Sequence, residues 1–246
     1  MNDVVVYGIR AVTFDLWNTL VQPRSYGEFR LPQLRAFLKA NGVELEEARL
    51  VEVYQAGFRH STEVHRVSGR RHVDVDEIVS HTIELVGLGG KCDYGPIVKY
   101  YEEAVLNDPP KLNDGVRETL ESLKGMVKIG LISDSGTSPG RVMRRILDDY
   151  DVLRYFDVTV FSDEVGFCKP NEVIFMAALD GLKVRAEEAL HVGDLIKNDV
   201  IGAKRAGMRT AWLKTADEGY SSEAAPDFII GGLLEVVAIV KDLSGL

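Results

Sequence analysis

The sequence is poor in cysteine, in glutamine and in long apolar runs, and it has no extended basic cluster. Cys92 and Cys168 are the only cysteines in 246 residues. Two are too few for a disulfide framework, and their surroundings show no metal-ligand spacing. A reducing cytoplasm suits such a chain. Glutamine occurs only at positions 22, 33 and 55, a scarcity found in heat-adapted proteins. No stretch approaches the ~20 apolar residues that a membrane span needs. The opening MNDVVVYGIR is too short and too acidic for a signal peptide. Net charge is −9 and no long basic run offsets it. Neither nucleic acid nor an anionic membrane is therefore an expected partner.

What is present is a hydrophobic content of 46%, enough for a substantial core in one large domain or a core with a smaller companion. Short apolar runs recur with polar or glycine punctuation: Ala11 to Phe14, Val127 to Ile132, Val158 to Phe161, Ala189 to Gly193, Thr210 to Leu213 and Asp227 to Ile230. They do not alternate, so they read as strands buried on both faces. Helical patterns lie between the later runs. One carries Val116, Leu120 and Leu123, with Asp114 as candidate N-cap and Gly125 as stop. Another carries Ile174, Ala178 and Leu182 behind Asn171, and a third runs from Asp199 to Ala206 before Gly207. Strands alternating with helices predict an α/β fold, a Rossmann-like, mostly parallel sheet flanked by helices.

Residues of about 22 to 107 break this rhythm and hold no convincing strand. Leu45, Ala48, Val51, Tyr54 and Phe58 form one helical stripe; Ile78, Val79, Thr82, Ile83 and Val86 form another. Asp74 and Glu77 before the second stripe have capping-box spacing. LPQLRAFLKANG and YGPIVKYYEEAV add two more helices. The expected domains are a core of residues 1–21 and 108–246 and an all-helical insertion of residues 22–107. No repeat or low-complexity tract is visible.

In open parallel sheets, ligands bind beyond the carboxyl ends of the strands. Asp15 ends the first run and Ser133 the second. Lys169 of CKPN follows the third. Asp194 follows the fourth, with Asn198-Asp199 shortly after. Taken singly, Asp15 and Asp194 serve equally well as turn formers, Ser133 as a turn residue and Lys169 as a solvated charge. Pro170 also keeps Lys169 extended, and Asn171 can start a helix. Together they are harder to explain that way. Clustered carboxylates need a cation or a proton, and oxygen donors without a nearby His or Cys suit magnesium.

The motifs FDLWNTL, GLISDSG, GFCKPNEVIF and HVGDLIKNDVIGAKRAGM resemble, in order, the four motifs of the haloacid dehalogenase (HAD) superfamily of hydrolases. The resemblance runs over nearly the whole chain. It implies a HAD core with a mobile helical cap, and a magnesium-dependent phosphatase acting on a small phosphorylated molecule. By that resemblance Asp15 is the nucleophile, forming an aspartyl-phosphate, and Ser133 binds the transferred group. Lys169 neutralises the nucleophile and the phosphoryl oxygens. Asp194 and the Trp17 carbonyl join Asp15 around Mg2+, and Asp199 holds it through water. Asp134 and Trp17 border the substrate. A monomer or homodimer is expected.

Trp17 departs from the family pattern, which has a second Asp there as general acid and base. An indole can do neither, though its carbonyl remains. Haloacid dehalogenases also lack that Asp and need no metal, but they lack the paired GD and ND too. Phosphonate hydrolases use a cap lysine, for which Lys39, Lys91 and Lys99 are available. A weakly active HAD fold that binds a phospho-ligand is a further alternative. His60 and His65 lack the spacing of a helical zinc pair and read as cap-surface histidines, either of which could supply the missing acid. The basic loop from Arg66 to His72 reads as solvated, Cys168 as an incidental thiol, and Gly87 to Gly90 as a break between helices.

Overall fold

A computed structural model describes residues 8–215 and 225–244. The first residues of the stretch read against a signal peptide, 1–7, lie outside them. Six strands form one sheet: β1 (Ala11–Phe14), β2 (Lys128–Ser133), β3 (Val158–Phe161), β4 (Ala189–Gly193), β5 (Arg209–Leu213) and β6 (Phe228–Ile230). Their order is β3-β2-β1-β4-β5-β6 and every pairing is parallel. The apolar runs without alternation therefore became buried parallel strands. The order reverses between β1 and β4, the switch point at which such sheets bind ligands.

The helices are α1 (Gly27–Ala40), α2 (Glu47–Val67), α3 (Val75–Leu85), α4 (Gly95–Glu103), α5 (Val116–Leu123), α6 (Gly140–Asp149), α7 (Ser162–Val165), α8 (Glu172–Leu182), α9 (Ile201–Arg205) and α10 (Glu235–Ser244). None is long and apolar enough to cross a membrane among the described residues.

The chain divides into two compact units. One comprises the described parts of Met1–Pro23, Lys111–Asp134 and Leu147–Leu246; the other comprises Arg24–Pro110 and Ser135–Ile146. In the first, Ala11, Ile132 and Ala189 from three strands pack with Ile174, Phe175, Ala178, Leu179 and Leu182 of α8. Asn171 caps α8 as its sequence position implied, accepting from the Val173 N–H at 3.0 Å. Asp114 does not cap α5. Gly115 holds that place at φ 76 and no side chain caps the helix, because the left-handed turn is open to glycine.

The second unit is built from α1 to α4 and most of α6. Leu34, Leu38, Leu50, Val75, Val79, Ile83, Ile97 and Tyr101 form its core. On α2 the buried stripe is Leu50, Val53 and Gly57, one position away from the expected one, and Ala48 is exposed. The reason is Gly57. A Cβ there would lie 2.6 Å from Thr82 Oγ1 and 2.8 Å from the Ile78 carbonyl. The two helices approach at a residue with no side chain to advertise the contact. Asp74 precedes α3 without a side-chain cap. Glu77 is occupied by His60 at 3.0 Å and by Arg71 at 2.9 Å, so the spacing of a capping box was met without its bonds.

Candidate active site

Asp15 follows β1 directly, and its N–H extends the ladder to the Val192 carbonyl of β4 at 2.8 Å. The chain then turns back sharply. The Leu16 carbonyl accepts from the N–H groups of Leu20 and Val21 at 2.8 and 2.9 Å. Asn18 sits at φ 61, a left-handed conformation that its short amide tolerates better than most side chains. The loop buries Asp15 and leaves Trp17 half-buried. Among the described residues, nothing donates to the Trp17 carbonyl and nothing accepts from the N–H of Leu16 or Trp17.

Lys169 stands just before α8, so the capped start of that helix sets its position. Its N–H donates to Asp134 Oδ1 at 2.8 Å, which ties the loop after β2 to the segment between α7 and α8. Its buried Nζ donates to Asp15 Oδ1, to Asp199 Oδ1 at 2.7 Å and to the Ile132 carbonyl at 3.3 Å. Those three bonds use every proton of the ammonium. Ser133 closes β2 fully buried, with its hydroxyl donating a long bond of 3.4 Å to the Asp134 carbonyl.

Asp194 follows β4. Asn18 Nδ2 donates to its Oδ2 at 2.5 Å, and the Trp212 indole N–H donates to its backbone carbonyl at 2.8 Å. Asp199 lies on a single π-helical turn, Ile196–Val200, a form that recurs at functional sites. Its Oδ1 also accepts from His191 Nε2 at 3.3 Å, and its Oδ2 from the Leu195 N–H at 2.9 Å. The approach of this carboxylate to the sheet depends on Gly193. A Cβ at that position would lie 2.3 Å from Asp199 Cγ.

The electrostatics follow from burial. Desolvation pushes the Asp15 carboxyl up to about 7, with Lys169 opposing the rise and Asp199 adding to it. Burial likewise raises Asp194, against the bond from Asn18. Burial also works against the charge on Asp199, but Lys169 and His191 outweigh it and hold that carboxyl below its usual range. Lys169 stays protonated against burial because Asp15, Asp199 and Asp134 surround it. One ammonium does not neutralise Asp15, Asp194 and Asp199 together, so a bound cation or a proton must supply the rest. Asp15, Asp194 and Asp199 each offer an oxygen, all within 4.8 Å of one another. A hard cation such as magnesium fits an all-oxygen set of this kind. Asp15, Asp194 and the Trp17 carbonyl have capacity for it. Both oxygens of Asp199 already accept protein donors, so an indirect role through water suits that residue better.

All the residues singled out at strand ends thus converge at one edge of the sheet. Four contributors escaped the sequence reading. Asn18 lies inside a motif in which its neighbours carry the recognisable chemistry, Gly193 reads as ordinary turn punctuation, and Trp212 reads as core. His191 corrects the expectation that no histidine lies nearby. It is buried beside Asp199, with Thr13 Oγ1 at 2.9 Å from its other ring nitrogen. His60 instead stacks on His81 of α3 at 4.4 Å in the helical unit. The basic loop is largely neutralised, since Arg66 pairs with Glu63 and Arg71 with Glu77. Cys168 is buried and unbridged.

The model of the haloacid dehalogenase-like hydrolases matches residues 9–207. The chain belongs to this family. As a HAD-like hydrolase it is 29% identical over 247 residues to a glyceraldehyde 3-phosphate phosphatase of Methanopyrus kandleri, an alignment covering 96% of this chain and 99% of the relative. It is 32% identical over 218 residues to a glyceraldehyde 3-phosphate phosphatase of Pyrococcus abyssi, covering 84% of this chain and 82% of the relative. A crystal structure of a HAD phosphatase from Thermococcus onnurineus superimposes on this HAD-like hydrolase with a TM-score of 0.65 at 26% identity, covering 94% of this chain and 98% of that one.

Proposed function

We propose that this HAD-like hydrolase is a magnesium-dependent phosphatase that works through an aspartyl-phosphate on Asp15. The observation that carries the reading is the pairing of Asp15 with Lys169 inside a trio of carboxylates whose oxygens lie within 4.8 Å of one another. Lys169 holds Asp15 Oδ1, which leaves Oδ2 as the attacking oxygen. Attack on phosphorus splits one difficult displacement into two easier steps. The Ser133 hydroxyl and the N–H groups of Leu16 and Trp17 are the protein's donors to the transferred oxygens, where charge spreads in the transition state, and the Lys169 ammonium adds its positive charge beside them. Magnesium, when bound by Asp15, Asp194 and the Trp17 carbonyl, supplies further positive charge to the same oxygens.

The substrate class is a small phosphorylated metabolite. The full-length relatives named glyceraldehyde 3-phosphate phosphatase favour a short aldehyde or sugar phosphate. The helical unit leaves the core at residue 24, soon after the loop that carries Asp15. We assign it the part of a cap that selects the substrate. Trp17 leaves the site without the usual proton donor, as in the dehalogenase alternative, but a cluster of carboxylates that one ammonium does not neutralise has no use in a metal-free attack on carbon.

The test is phosphate release from glyceraldehyde 3-phosphate and p-nitrophenyl phosphate with magnesium and with a chelator, run beside halide release from 2-chloropropionate. Magnesium-dependent phosphate release supports the assignment. Halide release that ignores the chelator overturns it.

A further inference from the structure

We propose that His191, supported by Thr13, is a positioning residue that fixes Asp199 and, through it, the Lys169 ammonium against Asp15. Thr13 of β1 and His191 of β4 stand opposite each other in the parallel register, so their side chains share one face of the sheet. Both are buried, at 0% and 1% exposure. Thr13 Oγ1 lies 2.9 Å from His191 Nδ1, and His191 Nε2 lies 3.3 Å from Asp199 Oδ1. Phe175 of α8 meets the imidazole edge-on at 5.1 Å and closes off its flank.

The direction of these bonds follows from elementary inventory. Asp199 is held as a carboxylate by Lys169 and can only accept. His191 Nε2 must therefore carry a proton, whether the ring is neutral or charged. The hydroxyl of Thr13 can donate to Nδ1 or accept from it, so it suits either state. A chain of contacts then runs from Thr13 through His191 and Asp199 to Lys169, ending at the nucleophile. Asp199 Oδ1 receives both His191 and Lys169. Without the imidazole, that carboxylate keeps Lys169 on Oδ1 and the Leu195 N–H on Oδ2 but loses the contact that fixes Oδ1 from the side of the sheet. Outer-shell groups of this kind are commonly worth about 10–100-fold in activity.

The kinetic part rests on the phosphatase reading, so the experiment has a second readout that does not. Turnover of p-nitrophenyl phosphate with magnesium is measured for the wild type, His191→Leu, His191→Gln and Thr13→Val, each corrected for its folded fraction by urea unfolding. The Lys169 ammonium is followed in parallel by nitrogen NMR, where slow proton exchange reports its enclosure. For His191→Leu, kcat is expected to fall about 10–100-fold with little change in KM, and the ammonium signal to broaden away. His191→Gln, which keeps a donor toward Asp199, restores most of both. Thr13→Val shifts both in the same direction by less, and decides the matter should His191→Leu not fold. Unchanged kcat and an unchanged ammonium signal in His191→Leu, or in Thr13→Val alone, overturn the proposal. So does equal loss in His191→Leu and His191→Gln. If the wild type shows no turnover, the phosphatase reading fails, and the ammonium signal alone decides the positioning role by the same criteria.

Discussion

Gly193→Ala is the smallest change that probes the site through its geometry. The added Cβ would stand 2.3 Å from Asp199 Cγ and 2.6 Å from both its Cβ and its Oδ2. Ordinary contact between such atoms is roughly 3.5 Å, so Asp199 must retreat by about 1 Å. Its bonds from Lys169 at 2.7 Å and from the Leu195 N–H at 2.9 Å do not survive that displacement. Misplacing a reacting group by about 1 Å can cost ~10²-fold in rate. Leaving a buried ammonium short of one partner costs about 3–5 kcal/mol at the upper end, moderated here because Asp15 remains. The expected phenotype is a kcat lowered about 10²-fold, with reduced stability in urea unfolding but an intact circular dichroism spectrum. Full activity and full stability in Gly193→Ala would show that Asp199 does not occupy this place.

The remaining predictions reach other parts of the molecule. Gly57→Ala places a methyl group 2.6 Å from Thr82 Oγ1, and overpacking should destabilise the protein by about 1–3 kcal/mol, read as a lower urea midpoint; an unchanged midpoint would mean that α2 and α3 do not pack this closely. Because burial lifts the Asp15 carboxyl to about 7, magnesium must displace its proton below that pH. Apparent magnesium affinity in calorimetry should then fall by up to about tenfold per pH unit below about 7, and a flat profile would show an ionised Asp15. With Trp17 in place of a general acid, wild-type turnover should depend steeply on leaving-group acidity, aryl phosphates running well ahead of alkyl ones. Trp17→Asp should speed alkyl phosphates more, by at most ~10²–10⁴-fold, and equal wild-type rates on both classes would point to another proton donor.

Much of this was legible in the sequence because buried parallel strands announce themselves. Runs such as AVTF and ALHVG do not alternate polar with apolar residues, so they fit a sheet covered on both sides. Their order along the chain, with polar residues at each end, then placed Asp15, Ser133, Lys169 and Asp194 at one edge. What escaped were the contacts made by residues with two plausible lives. His191 lies within an apolar strand and looks like core until Thr13 appears opposite it. Gly57 and Gly193 act by lacking a side chain, and no hydrophobic pattern records an absence. Asp114 failed as a cap for a related reason, since the adjacent glycine took the turn that a capping side chain would otherwise stabilise.

Asp15 as a phosphorylated nucleophile is the claim on which the function turns, and it can be observed directly. A single turnover of p-nitrophenyl phosphate with magnesium is quenched in acid, where an acyl phosphate survives, and the digested peptides are weighed by mass spectrometry. The expected result is one phosphoryl group on the peptide containing Asp15, at the residue itself, and none in Asp15→Asn, which should also be inactive while folding normally. Phosphate release at the wild-type rate from Asp15→Asn, or a phosphoryl group found on another residue, would contradict nucleophilic catalysis by Asp15.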